Sequence, residues 1–388
     1  MTFFEGVSGD NKNKEAGRKL AFLSLSTTFF VSHFRPAVRA ARLQGFELIA
    51  FLPEQPAEGS DDIDDVKVIL IGGRRARFPF LRLFPNLYFV VLALWRNRPD
   101  VVQAFSLQAC VILALASRLI PVGHRIYTIT GLGLIDVDRR WLSRLHRPLL
   151  YRLFRAVSGG ESSTFIFENT GDSRRLGFKE GLPRRALRLM GAGVDPRFFM
   201  PERLPARPPL KVAVVSRMIW TKGIDLAIQA ASQLVNRGVP VELDLYGDAD
   251  PHNPQSFAEA LLEQWGKLPG VRWRGHQSDI RAIWRDHHVG LFASRGGEGL
   301  PRAMLEAAAC GRALITTSVP GCSDFVRPGV EGLVVKPNSV DELAWAIESL
   351  ARQPERLVEM GDAARRRVVE TATEELITTQ YGRLFAGL

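Results

Sequence analysis

Val289-Gly-Leu-Phe-Ala-Ser-Arg-Gly-Gly-Glu-Gly-Leu-Pro-Arg-Ala-Met-Leu-Glu-Ala-Ala-Ala-Cys-Gly311 reads as a buried strand, a glycine-rich turn and a helix. Val289–Phe292 is short and apolar. Gly296, Gly297 and Gly299 let the backbone approach a ligand closely and take φ > 0. Pro301 suits a helix's first turn. A helix start there offers free N–H groups and partial positive charge, which suits a diphosphate. Glu298 falls in the loop before the helix, and Glu306 falls on its second turn. One carboxylate can thus reach the head of a ligand and the other its middle, where vicinal ribose hydroxyls are commonly held.

A second loop of the same kind lies upstream, in Val214-Val-Ser-Arg-Met-Ile-Trp-Thr-Lys-Gly223. It leaves the strand Leu210–Val215 and enters a helix over Gly223–Asn236. Arg217 and Lys222 stand five apart across it. Arginine can grip phosphate with two N–H groups, and lysine acts as a point charge. Either loop alone is an ordinary connection. Together they supply two cations, a helix start and two carboxylates, which fits a nucleoside diphosphate carrying a sugar.

Outward from these loops the chain alternates short apolar runs with longer amphipathic ones, the pattern of α/β layers on a parallel sheet. Val241–Tyr246, Val271–Arg274 and Ala313–Thr317 read as further strands, and Val340–Ala351 and Pro354–Glu370 as helices. Before them, Pro196–Pro209 holds five prolines in fourteen residues, so neither helix nor central strand is expected. An earlier strand–helix series occupies 19–195, with strands expected at Lys19–Leu25, Leu48–Leu52, Val66–Leu70, Val101–Ala104, Arg125–Ile129 and Thr164–Phe167. The expected organisation is a flexible N-terminus over 1–18 and a first Rossmann-like domain over 19–195. A linker over 196–209, a second Rossmann-like domain over 210–370 and a C-terminal helix in 371–388 follow. That last helix could pack back on the first domain. A length of 388 residues accommodates two such cores. Ligands of open α/β sheets bind beyond the carboxyl ends of strands, which puts the site in the cleft between the domains.

Bulk properties narrow the class. Hydrophobic residues make up 46% and charged residues 24%, as in globular proteins. Cys110, Cys310 and Cys322 have neither metal-like nor disulfide-like spacing and read as reduced thiols of a cytoplasmic protein. The polar N-terminus lacks the features of a signal peptide. The longest apolar runs, Leu87–Trp95 and Ala109–Ala116, are too short to span a bilayer and read as core elements. The net charge of +10 is uneven, with +11 over residues 1–200 and −1 over the rest. The first half therefore suits an anionic partner. Arg74–Arg98, rich in arginine and aromatics, suits an anionic membrane surface, and no recognised nucleic-acid motif is present.

With these residues in view, SRMIWTKG and EGLPRAMLEAAACG resemble the paired motifs of family-4 retaining glycosyltransferases of the GT-B fold. Glu298 and Glu306 match the acidic pair of that family's E-x7-E motif, and Arg217 and Lys222 match its diphosphate-binding pair. Thr317–Asp324 and the stretch from Asn338 fit as well. In the first half, PDVVQAFS, Thr130–Gly133, Phe167–Asn169, Gly193–Asp195 and Phe30–Pro36 resemble the branch building capsule, O-antigen or lipid-linked glycans. Gln103 and Phe105 stand where that branch often carries histidines, and no catalytic role is assigned there.

The resemblance implies a GT-B fold, two Rossmann-like domains with an interdomain cleft. It implies transfer of a hexose or N-acetylhexosamine from a nucleotide-sugar, UDP-linked by family analogy, to a polyprenyl-diphosphate-linked acceptor on the inner face of the plasma membrane. It implies that Arg217 and Lys222 neutralise the departing diphosphate and that Glu298 contacts the donor sugar. Glu306 would hold the ribose, and Gly297 and the N–H groups of Gly299 and Leu300 would contact the sugar or β-phosphate. His33, Gly131 and Gly133 would face the donor phosphate or acceptor from the other domain. No metal is required on this reading, and Asp62-Ile-Asp64 reads as a solvated charge run rather than a metal site. Two other readings use the same cleft: a nucleotide-sugar epimerase, and a non-catalytic sugar-nucleotide-binding subunit. The sugar, the nucleotide, the acceptor and the linkage are left open.

Overall fold

The computed structural model describes residues 17–57, 63, 65–72, 83–133, 141–178, 186–251 and 253–388, the side chains of 141–147, 149 and 150 excepted. The expected flexible arm falls almost wholly outside these residues, as do Asp62 and Asp64 and the arginines between 73 and 82.

The first half runs β1 (Lys19–Ser24), α1 (Thr27–His33), α2 (Arg35–Leu43), β2 (Glu47–Leu52), β3 (Lys67–Leu70) and α3 (Leu83–Asn97). It continues with β4 (Val101–Phe105), α4 (Leu107–Leu119), β5 (His124–Ile129), α5 (Trp141–Ser158), β6 (Ser163–Phe167), α6 (Thr170–Arg175) and β7 (Ala186–Arg188). Among the described residues its sheet has seven strands in the order β3-β2-β1-β4-β5-β6-β7. Every pairing is parallel. Side-chain caps start several helices: Ser26 accepts from Phe29 N, Ser106 from Ala109 N, and Asn169 from Asp172 N.

The second half opens with β8 (Leu210–Val215), α7 (Ile224–Asn236), β9 (Val241–Tyr246), α8 (Glu259–Trp265), β10 (Val271–Gly275), α9 (Ile280–Asp286) and β11 (Val289–Phe292). It closes with α10 (Arg302–Ala309), β12 (Ala313–Thr317), α11 (Cys322–Phe325), β13 (Gly332–Val335), α12 (Val340–Arg352), α13 (Pro354–Thr371) and α14 (Glu374–Ala386). Its parallel sheet has six strands in the order β10-β9-β8-β11-β12-β13. The order reverses between β8 and β11, so the loops leaving those two strands flank the switch point where doubly wound sheets bind ligands. These are the two loops that carry Arg217, Lys222 and Glu298.

The chain crosses between the halves twice, and the crossings lie side by side. Val194 N donates to Ala372 O at 3.0 Å, and Glu374 N donates to Val194 O at 3.0 Å. The proline-rich stretch after the first crossing is held by two arginines. Buried Arg312 donates to the carbonyl of Glu202, and Arg365 donates to those of Pro196 and Phe199. After the second crossing, α14 returns to the first half, where Ile377, Tyr381 and Phe385 share a core with Phe22, Val38 and Ala41.

One core expectation is corrected. Ala109–Ala116 is buried on nearly every side, but Leu87–Trp95 is not. In α3 only Asn86, Val90, Ala93 and Leu94 are buried, while Phe84, Tyr88 and Trp95 are 76%, 64% and 54% exposed. That helix has one apolar face more than the fold can cover.

Candidate active site between the two sheets

Lys222 ends a 3₁₀ turn, Trp220–Lys222, and its Nζ lies 2.6 Å from Glu298 Oε1. Ser294 Oγ donates to the same oxygen at 3.1 Å. Arg217 stands on the preceding loop, its guanidinium 3.3 Å from Asp250 Oδ2. Both expected phosphate cations thus exist as ion pairs that an anionic ligand would have to share or displace. Glu306, on α10, is 8% exposed and accepts from Arg302 Nε at 2.9 Å. Burial raises its pKa against the pull of Arg302. Pro301 is the cap of this helix rather than part of its first turn.

His33, the last residue of α1, comes from the first half. Its Nδ1 lies 2.7 Å from Ser32 Oγ, and its ring packs on Phe29 at 4.3 Å. Burial lowers its pKa to about 3, and the charges of Arg302, Lys222 and Arg217 add to the effect. It therefore stays neutral near pH 7, facing the cations of the opposite wall. The structure brings His33, Arg217, Lys222, Glu298 and Glu306 around one cleft.

The glycines behave differently from expectation. Gly299 N donates to Thr130 O at 3.0 Å, and Leu300 N donates to Glu168 Oε2 at 3.0 Å. Both N–H groups expected on the donor are therefore spent on the facing domain, because the cleft is closed over the loop at this point. Gly297 O is engaged in the same way, accepting from Gly133 N at 2.9 Å. Gly131 has φ +120°, and a Cβ there would strike Gly297 O and Gly299 N. Gly131 and Gly133 thus pack on the donor loop itself rather than opening toward an acceptor.

Three participants escaped the sequence reading. Arg295 stacks its guanidinium over Trp220 at 4.4 Å and pairs with both oxygens of Asp225 at 2.8 Å, tying the Glu298 loop to the Lys222 loop. Arg302 joins Glu306 to Glu374 of α14, 3.9 Å from its Oε1. Glu168 reaches Leu300 across the cleft. The glycine-rich motif drew attention to residues 296–299; Arg302 stands four residues before Glu306, a local spacing that could have found it, but Asp225, Glu374 and Glu168 lie 70 or more residues from the groups they meet, beyond any local pattern. Gln103 is buried and donates to Thr128 Oγ1 at 2.8 Å, a core role. The three cysteines are buried and free, and burial pushes the Cys322 thiol up to about 12. Among the described residues no cluster of three or more His, Cys, Asp or Glu could hold a metal ion. Among them, too, no helix is long and apolar enough to cross a membrane.

Comparison with known proteins bears on the fold and on the class of enzyme. Residues 209–353, which carry the loops of Lys222 and Glu298, match the family model described as glycosyl transferases group 1. The chain is a glycosyltransferase of the GT-B fold. It is 23% identical to the N,N'-diacetylbacillosaminyl-diphospho-undecaprenol alpha-1,3-N-acetylgalactosaminyltransferase of Campylobacter jejuni, over 92% of this chain and 95% of that protein. Sucrose-phosphate synthase from Thermosynechococcus elongatus shares its fold with a TM-score of 0.78 at 20% identity, over 95% and 98% of the two chains. So does Anabaena HepE, solved in complex with UDP, with a TM-score of 0.71 at 18% identity, over 95% and 100%. In this glycosyltransferase the loops after β8 and β11 and His33 of α1 come together between the two sheets.

Proposed function

We propose that this glycosyltransferase moves a hexose or N-acetylhexosamine, with retention, from a UDP-sugar to a lipid-linked glycan acceptor used in cell-surface polysaccharide synthesis. The observation that carries the proposal is the Lys222–Glu298 pair, 2.6 Å apart, at the switch point of the second sheet and opposite His33. Lys222 and Arg217 neutralise the diphosphate as it leaves. Glu298 accepts from donor-sugar hydroxyls, and Glu306 from the ribose. The bond from sugar C1 to the diphosphate oxygen breaks, and the acceptor oxygen bonds C1 on the same face. The hydroxyl proton passes to the departing diphosphate. The protein contributes positioning and stabilisation of the charge developing on the leaving group, and metal is not required.

The nature of the acceptor is supported by the Campylobacter relative, whose name places its acceptor on a diphospho-undecaprenol. The UDP choice is supported by the HepE complexes with UDP and UDP-glucose. The excess charge of +11 over residues 1–200 and the exposed aromatics of α3 support docking on the cytoplasmic face of an anionic membrane.

The test is nucleoside-diphosphate release from panels of UDP- and GDP-sugars, with and without polyprenyl-diphosphate-linked saccharides and EDTA. Release from a UDP-sugar that depends on the acceptor, survives EDTA and gives a product of unchanged anomeric configuration is expected. Lys222→Ala should lower kcat about 100-fold or more with folding intact. Full activity in that variant, or release without acceptor, overturns the reading.

A further inference from the structure

Four consecutive backbone positions of the donor loop are gripped by the opposite domain. Gly297 O accepts from Gly133 N at 2.9 Å, and Glu298 O accepts from Asn169 Nδ2 at 3.3 Å. Gly299 N donates to Thr130 O at 3.0 Å, and Leu300 N to Glu168 Oε2 at 3.0 Å. Next to this grip, Thr170 N donates to Asp324 Oδ2 at 2.7 Å. The first domain thus holds the backbone on both sides of Glu298.

Within that grip Glu168 is the one charged side chain. It stands just past the carboxyl end of β6 and is 7% exposed. Its carboxylate sits directly against Gly299, where any Cβ would collide with Oε2. A buried carboxylate is costly to keep unless it accepts hydrogen bonds. Leu300 N–H supplies one, two residues from the side chain that pairs with Lys222.

We propose that Glu168 is a positioning residue for sugar transfer: by holding Leu300 N–H across the cleft, it sets the donor loop so that Glu298 meets the donor sugar beside Lys222. The proposal rests on the reading that Glu298 contacts that sugar. Glu168 bonds the loop through its backbone at Leu300 and makes no ion pair with Arg217 or Lys222, so it acts through the position of Glu298. Nucleotide binding, carried by Arg217, Lys222 and Glu306, does not need it. Reach matters here and charge does not, because an amide oxygen accepts from Leu300 N–H as a carboxylate does. One methylene less draws the oxygens away from Leu300 while keeping the charge.

The experiment compares Glu168→Gln, Glu168→Asp and Glu168→Ala with wild type, using kcat, inhibition by UDP and amide exchange of the 297–301 segment. Glu298→Ala serves as reference. Glu168→Asp and Glu168→Ala should lose about tenfold or more in kcat, as misplacement of a contact by an ångström does. Their UDP inhibition constants should stay within about twofold of wild type, since the nucleotide contacts are untouched. Exchange of the segment should speed up in both, and Glu168→Gln should restore most of kcat. Should Glu168→Ala not fold, the Asp and Gln pair decides alone. Glu168→Asp with wild-type kcat, Glu168→Gln as impaired as Glu168→Ala, or UDP affinity falling in step with kcat overturns the proposal. An active Glu298→Ala overturns the donor-contact reading instead, whatever Glu168 does.

Discussion

At the residue scale, the closed cleft buries a carboxylate that folding alone would rather expose. Glu168 has its pKa raised to about 7, mainly by burial, with Leu300 N–H pulling it down and Asp172 of α6 pushing it up. Tyr381 of α14 also faces it, and burial keeps that phenol protonated. An acid whose folded pKa exceeds its unfolded value, ordinarily near 4.5, binds more protons folded than unfolded between the two. Stability from this group is therefore present below the unfolded pKa and is lost as pH rises toward about 7. A shift of this size is worth up to about 3 kcal/mol. Glu168→Gln carries no such titration. Its melting temperature relative to wild type should rise between pH 5 and pH 8, measured by thermal unfolding in matched buffers. A gap that stays constant over that range would mean that Glu168 ionises as an exposed acid does. His33 shows the opposite case, a base held neutral by burial and by the cations around it.

At the element scale, α14 is the last helix of the chain and the lid of the first core. It begins with Thr373 accepting from Leu376 N, and buries Ile377, Tyr381 and Phe385 against α2 and β1. Each such side chain is worth about 1.5–3 kcal/mol of transfer. The total rivals the net stability of a domain, about 5–15 kcal/mol. Removal of 373–388 should therefore leave the first half unable to hold its native core, although no residue of its own sequence has changed. The expected readout is loss of the cooperative melt and dye binding at the bared surface; a truncated chain that melts as wild type refutes the role. Sequence patterns reached the parallel strands because each is a short apolar run between glycine and proline signals, as at Val289–Phe292 and Leu210–Val215. They missed β13, whose Gly332-Leu-Val-Val335 is four residues long, and β7, three residues of which two are exposed. They placed Glu298, Lys222 and Arg217 because glycine turns and charged residues stand together in the chain. They misjudged the N–H groups of Gly299 and Leu300, since what they meet, Thr130 and Glu168, is more than 130 residues away. Glu168 itself was visible only as part of Phe167-Glu-Asn169, with nothing local to say what it would hold.

At the scale of the whole molecule, the chain passes between two domains of unequal charge at crossings that lie side by side, where Val194 meets Ala372 and Glu374. Residues 1–200 carry +11 and the remainder −1. The second half, near neutrality, has nothing to gain from an anionic surface, so a membrane would orient the enzyme by its first half. On that half α3 lays Phe84, Tyr88 and Trp95 open to solvent. Aromatic rings of this kind settle at the level of lipid headgroups. Basic side chains near such a surface gain about 1 kcal/mol each, an attraction that fades within a Debye length. That length shrinks from about 10 Å at 0.1 M salt to about 3 Å at 1 M. Binding should accordingly have two components with different responses. Co-sedimentation with vesicles rich in anionic lipid should be strong at low salt and fall steeply as salt rises, while neutral vesicles should retain little protein at any salt. Exchanging Phe84, Tyr88 and Trp95 for serine should weaken recovery on anionic vesicles and leave its salt dependence unchanged, because the charges remain. Equal recovery on neutral and anionic vesicles would remove the electrostatic part of the argument. Full recovery of the triple variant would remove α3 from it and return the docking surface to the arginines elsewhere on the first half.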